Sequence, residues 1–121
     1  MRKKILYVFL ATAFAAFAVA NANGQSVRRA TWQTSVDDSR RGVVTLGVRD
    51  KWGTMGRFTA TFVAKIGART FRGRMSSTGD EWAYIDFPSQ FGNAAPTAGT
   101  YTVTFYVNGV VIGRDRFRYR R

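Results

Sequence analysis

From residue 27 onward, apolar and polar positions alternate in short runs broken by Gly, Asn, Asp and Ser, and no apolar repeat of helical period is present. Such a pattern predicts strands with one face buried and the other in water. The plainest run places Phe58, Ala60, Phe62, Ala64 and Ile66 on one side and Arg57, Thr59, Thr61, Val63 and Lys65 on the other. After a turn at Gly67-Ala68 the alternation resumes with Phe71, Gly73 and Met75 inward and Arg72 and Arg74 outward, which predicts a hairpin. Seven strands are predicted in all, over residues 27–34, 43–49, 57–66, 70–76, 81–87, 100–107 and 110–120. Their spacing predicts an all-β fold, a seven-stranded antiparallel sandwich.

The strongest local pattern lies near the C-terminus. Tyr101, Val103, Phe105 and Val107 alternate with Thr102, Thr104 and Tyr106 and run into Asn108-Gly109, a pair that favours a type I′ hairpin. On the returning strand, Ile112 and Phe117 have opposite parity and share a face only if one residue is inserted, so a bulge is expected at Gly113. The run Gly99-x-Tyr101-x-Val103-x-Phe105-x-Val107-Asn108-Gly109, followed by Ile112-Gly113 and Phe117, resembles the last hairpin of many bacterial Ig-like β-sandwich domains. The resemblance implies an Ig-like fold. It also implies a non-enzymatic role, since these domains are mostly binding or spacer modules of envelope and surface proteins. It assigns no functional residue, and the Cys pair of antibody-type domains is missing.

The first residues change the picture of where this fold works. Arg2, Lys3 and Lys4 precede an apolar run from Ile5 to Val19, and small residues stand at Ala18, Ala20 and Ala22 ahead of a polar stretch. That is the layout of a cleavable signal peptide over residues 1–22, with cleavage after Ala22 preferred over Ala20, leaving a single domain over residues 23–121. The run falls short of the ~20 residues that span a bilayer. The protein is therefore expected to be periplasmic or secreted. With no Cys, neither a disulfide nor a thiolate site is available, and the domain is held by packing alone. A closed barrel in the outer membrane would need apolar outward faces, where this chain places Arg, Lys and Thr.

Charge narrows the partner. The leader takes three basic residues and no acid, so 19 basic and seven acidic residues become sixteen and seven, and a net charge of +12 becomes +9. Fourteen of those sixteen are Arg, whose planar fork suits bidentate contact with carboxylate, phosphate or sulfate. Arg114, Arg116, Arg118 and Arg120 recur at every second position and project from one side of an extended strand as a cationic stripe. Arg72 and Arg74 join it if their strand lies in the same sheet, with Tyr106 and Tyr119 as aromatic surface. Charged residues also protect a terminal edge strand from pairing, so the row reads as a site or as edge protection.

Of the three Trp, Trp32 and Trp82 are expected in the core, and Trp52, in the polar turn Arg49-Asp50-Lys51-Trp52-Gly53, is expected to be exposed as a further contact. The connection over residues 88–99, with Phe91 at its tip, is a second place for contacts. Without His or Cys, the commonest general base, metal ligand and thiol nucleophile are missing, and the seven carboxylates fall mainly at turns. The expectation is a non-enzymatic binding or accessory module that needs no cofactor and no metal. Its partner is an acidic polymer or acidic protein, contacted through an Arg-rich sheet face. The alternatives are an assembly or chaperone-like subunit that pairs through a β-edge and, remotely, a small glycan-active enzyme using an Asp/Glu pair.

Overall fold

A computed structural model describes residues 22–121 except 93 and 94. All of the expected leader except Ala22 lies outside the described residues. The elements follow as helix α1 (Ala22–Arg29) and strands β1 (Trp32–Asp37), β2 (Val44–Asp50), β3 (Arg57–Ile66), β4 (Arg69–Thr78), β5 (Ala83–Phe87), β6 (Gly99–Val107) and β7 (Val110–Tyr119). They form two antiparallel sheets, one in the order β1-β2-β5 and the other in the order β4-β3-β6-β7.

The alternation read from the sequence decides which side of each strand is buried. Phe58, Ala60, Phe62 and Ala64 of β3, Phe71 of β4, and Tyr101, Val103, Phe105 and Val107 of β6 face Val44, Leu46 and Val48 of β2 and Ala83, Ile85 and Phe87 of β5 across one apolar layer. Phe87 is the hub, with ring centroids of Phe71, Phe91, Tyr101, Phe117 and Tyr119 at 5.5, 5.2, 5.1, 5.0 and 5.5 Å. Edge-to-face and tilted contacts of this kind add about 0.5–1.5 kcal/mol each beyond the burial of the rings. The Tyr101 ring also stacks on Phe117 at 5.1 Å and 6°, and its hydroxyl donates to the Thr97 carbonyl at 2.6 Å, tying the start of β6 to the connection before it.

The final hairpin forms as its residues predict. Asn108 (φ 49°) and Gly109 (φ 84°) both sit in the left-handed region, as a type I′ turn requires. Opposite Phe105 and Tyr106 the pairing jumps from Gly113 to Val111, so the bulge forms but the inserted residue is Ile112 and not the expected Gly113, which pairs with Phe105. That bulge brings both Ile112 and Phe117 to the core side.

Four expectations are corrected. The segment expected to open the first strand forms α1 instead, because Val27 reaches the core (1 % exposed) from a helix whose next turn supplies Ala30 N–H to the Val27 carbonyl. The same carbonyl accepts from Trp32 Nε1 at 2.8 Å, and β1 starts only at Trp32. Phe91 is not a contact at a loop tip: it is 4 % exposed, turned in against Phe87 and close to Gly73. Tyr119 offers no aromatic surface, being 8 % exposed in the Phe87 cluster. Trp82 is not in the core but on the outer side of the three-stranded sheet, stacked on Tyr84 at 5.4 Å and 10°.

Candidate functional site: the basic face of the four-stranded sheet

Strand register places the predicted cations. Across β4-β3-β6-β7 the partners line up as Arg72, Val63, Thr104 and Arg114, with Arg74, Thr61, Tyr106 and Val111 on one side of that row and Thr70, Lys65, Thr102 and Arg116 on the other. Thr100 and Arg118 continue the series. Register with the alternating buried positions of β3 and β6 puts them together on the outer face of the sheet. Arg72 and Arg74 therefore do stand on the same face as Arg114, Arg116 and Arg118, on its opposite margin. Arg57 and Lys65 of β3, not singled out from the sequence, belong to the same face and are exposed.

Among the described residues no acid shares the outward parity of that face, and the carboxylates nearest to it are those of Asp38 and Asp115 at its β7 edge. Asp37 and Asp38 close β1 and its following loop, Asp50 is fully buried, and Asp80 and Glu81 occupy the β4–β5 turn. Asp86 lies on the other sheet, and Asp115 points to the inner side of β7, opposite Val103. Among the described residues, the guanidinium groups of Arg72, Arg74, Arg114, Arg116 and Arg118 have no hydrogen bond or ion pair. The contrast with other Arg residues is sharp. Arg49 reaches the Asp80 carbonyl at 2.7 Å and its carboxylate at 3.7 Å, and Arg41 reaches the Arg121 carbonyl at 3.2 Å.

Arg120 leaves the row. Pairing ends at Tyr119, and the Arg120 guanidinium turns to the Ser39 carbonyl at 2.7 Å while its own carbonyl accepts from Gly42 N–H at 2.6 Å. It fastens the loop after β1 to the end of β7. Trp52 is 70 % exposed, as expected, with Lys51 Nζ 4.8 Å from its ring centre, but it rides on the connection from β2 to β3 and on neither outer face. That connection is pinned by Asp50, whose Oδ2 accepts from Met55 N–H at 2.8 Å.

The β7 margin is partly capped near its end. Arg118 N–H donates to Asp38 Oδ2 and Arg116 N–H to Asp115 Oδ1, each at 2.8 Å. Two of the backbone donors on the free side of the strand are thus occupied by carboxylates.

A second surface was missed in the sequence. On the outer side of the smaller sheet, Gly47 leaves room for the Trp82–Tyr84 pair: a Cβ there would lie 2.8 Å from Cδ1 and Cε1 of Tyr84 and 3.0 Å from Cε3 of Trp82. Thr45 donates to Asp86 Oδ1 at 2.8 Å beside it. The alternation of Trp82, Tyr84 and Asp86 against Ala83, Ile85 and Phe87 carried the information.

No protein-family model, curated protein or solved structure matches this chain.

Proposed function

We propose that the protein is an exported, non-enzymatic binding module of Ig-like sandwich fold that holds an acidic partner, polymer or protein, against the outer face of its four-stranded sheet. The observation that carries this reading is the face itself: among the described residues, seven cations point outward, five of their guanidinium groups have no partner, and the carboxylates nearest to them are confined to the β7 edge. Confining like charges to one face costs self-repulsion, which an anionic partner relieves. The basic start Arg2-Lys3-Lys4, followed by the apolar run from Ile5 to Val19, supports export to the periplasm or beyond.

Support for the Ig-like assignment comes from two features. The division of β1-β2-β5 from β4-β3-β6-β7 corresponds to strands A-B-E and C′-C-F-G of that fold, and Tyr101 with Thr97 has the form of its tyrosine corner. The rival reading, assembly by strand addition at β7, finds the N–H groups of Arg116 and Arg118 already bonded.

The test is binding of the purified exported protein to acidic polymers across a salt series, beside Arg114→Ser/Arg116→Ser/Arg118→Ser and a control triple change at Arg40, Arg41 and Arg69. Binding that fades with salt and is lost in the first variant but kept in the second supports the reading. Equal behaviour of the two variants refutes it.

A further inference from the structure

We infer that the occupant of this face is a single chain of an acidic polysaccharide, lying along the strands between two basic margins. The inference rests on the binding role proposed for the same face. Arg72 of β4 and Arg114 of β7 are separated by three inter-strand steps in one register row. At about 4.8 Å per step the margins stand about 14 Å apart. Along β7, Arg114, Arg116 and Arg118 repeat at about 6.8 Å, so the field is also about 14 Å long.

Between the margins the face bears hydroxyl groups. Thr59 and Thr61 of β3 and Thr102 and Thr104 of β6 point outward around Val63, which is 5 % exposed, so the middle of the face is covered by hydroxyl-bearing side chains. A threonine hydroxyl both donates and accepts, as sugar hydroxyls do, and the Arg fork pairs with a carboxylate or sulfate in two hydrogen bonds. A chain with anionic groups on both flanks and hydroxyls on its rings meets complementary chemistry across the whole width.

Other macromolecules fit less of the face. Single-stranded nucleic acid is held by stacking its bases on exposed rings. This face has only Tyr106, half-buried, while Trp52, Trp82 and Tyr84 lie elsewhere. A duplex is read by an element that enters its groove, and a flat sheet presents none. An acidic helix seats an apolar stripe, and a lipid surface takes inserted apolar groups. The exposed large apolar residue here is Val111, at the corner where Tyr106 pairs.

The test measures affinity of the purified protein for polygalacturonate and dextran sulfate, for a thymidine oligonucleotide of matched charge, and for phosphatidylglycerol vesicles. The variants are Arg72→Ser/Arg74→Ser on one margin, Arg114→Ser/Arg116→Ser on the other, Arg40→Ser/Arg69→Ser as a control off the face, and Tyr106→Ala. Unfolding midpoints of all four confirm that the fold is kept. The expected result is that a polysaccharide binds at least about tenfold more tightly than the oligonucleotide or the vesicles. Each margin pair then weakens it by about tenfold, while the control pair and Tyr106→Ala change it less than about threefold. An oligonucleotide bound as tightly and lost with Tyr106→Ala, preferred binding to the vesicles, or a polysaccharide sensitive to one margin alone overturns this inference and leaves the binding face standing. Margin pairs that behave like the control pair remove both.

Discussion

Replacing Tyr101 by Phe isolates one hydrogen bond at the point where β6 enters the sheet. The ring is fully buried and keeps its stack on Phe117 at 5.1 Å and its contact with Phe87 at 5.1 Å, so no cavity opens. Only the donor to the Thr97 carbonyl is lost. A neutral hydrogen bond contributes about 0.5–1.5 kcal/mol net, and a buried acceptor left without its partner costs about 1–3 kcal/mol. Thr97 itself is exposed and its carbonyl only partly shielded, which lets water recover some of the loss. The expected destabilisation is about 1–2 kcal/mol. In urea unfolding followed by tryptophan fluorescence, the midpoint falls while the slope is unchanged, because the surface exposed on unfolding stays the same. At about 4–8 °C per kcal/mol for a domain of this size, the melting temperature falls by about 4–16 °C. Tyr106→Phe, which removes a hydroxyl from the half-buried outer face, shifts stability by less than about 0.5 kcal/mol. If the two variants unfold together, the Tyr101 bond does not fasten the β6 entry and the corner argument fails.

Three further outcomes are expected. Gly73→Ala drives a methyl to 2.5 Å from Ile85 Cδ1, 3.1 Å from the Gln90 carbonyl and 3.2 Å from Phe91 Cζ, so the urea midpoint drops by an equivalent of about 1–3 kcal/mol; an unchanged midpoint contradicts the close approach of β4 to β5. Asn108→Ala puts a Cβ without a polar partner at φ 49° and deletes the 3.3 Å bond from Thr59 N–H, which costs about 1–2 kcal/mol and raises amide exchange at Thr59. The Asp37 carboxylate accepts from Ser39 Oγ at 2.6 Å and from Ser39 N–H at 3.1 Å, with Arg40 nearby, and is held below its usual range. Its contribution to stability is therefore present above the unfolded-state value and lost as pH falls through the lower folded-state value. Carboxyl NMR titration should show Asp37 moving up in Ser39→Ala, and no movement would remove Ser39 as the cause.

What the sequence made legible was local. The hairpin at Asn108-Gly109 follows from residues that tolerate positive φ, and the bulge follows from the parity clash of Ile112 with Phe117. The same parity rule sent Arg114, Arg116 and Arg118 to one face. It also contained the positions of Trp82 and Tyr119: each sits two residues from a partner, Tyr84 or Phe117, whose side of the sheet it shares. Helix α1 was not legible because Val27, the buried residue among its described side chains, stands alone and produces no repeat to detect. Nor was the joining of Arg72 and Arg74 to the β7 row, which depends on the strand order β4-β3-β6-β7 and so on pairings distant in sequence. Arg120 kept the right parity but met carbonyl groups of a loop some eighty residues earlier, a contact no alternation encodes.

The two carboxylates that cap part of the β7 margin matter most when many copies stand side by side. The acidic polymer proposed as partner would gather such domains to high local density, and at that density an open strand margin is a template on which neighbouring chains nucleate fibres. Asp38 and Asp115 occupy two of the β7 donors that such growth would recruit, and the exposed Arg side chains repel an approaching copy. On the proposed polymer, a coat of these domains would stay a row of separate beads, able to detach one at a time when salt rises, instead of setting into a fibre.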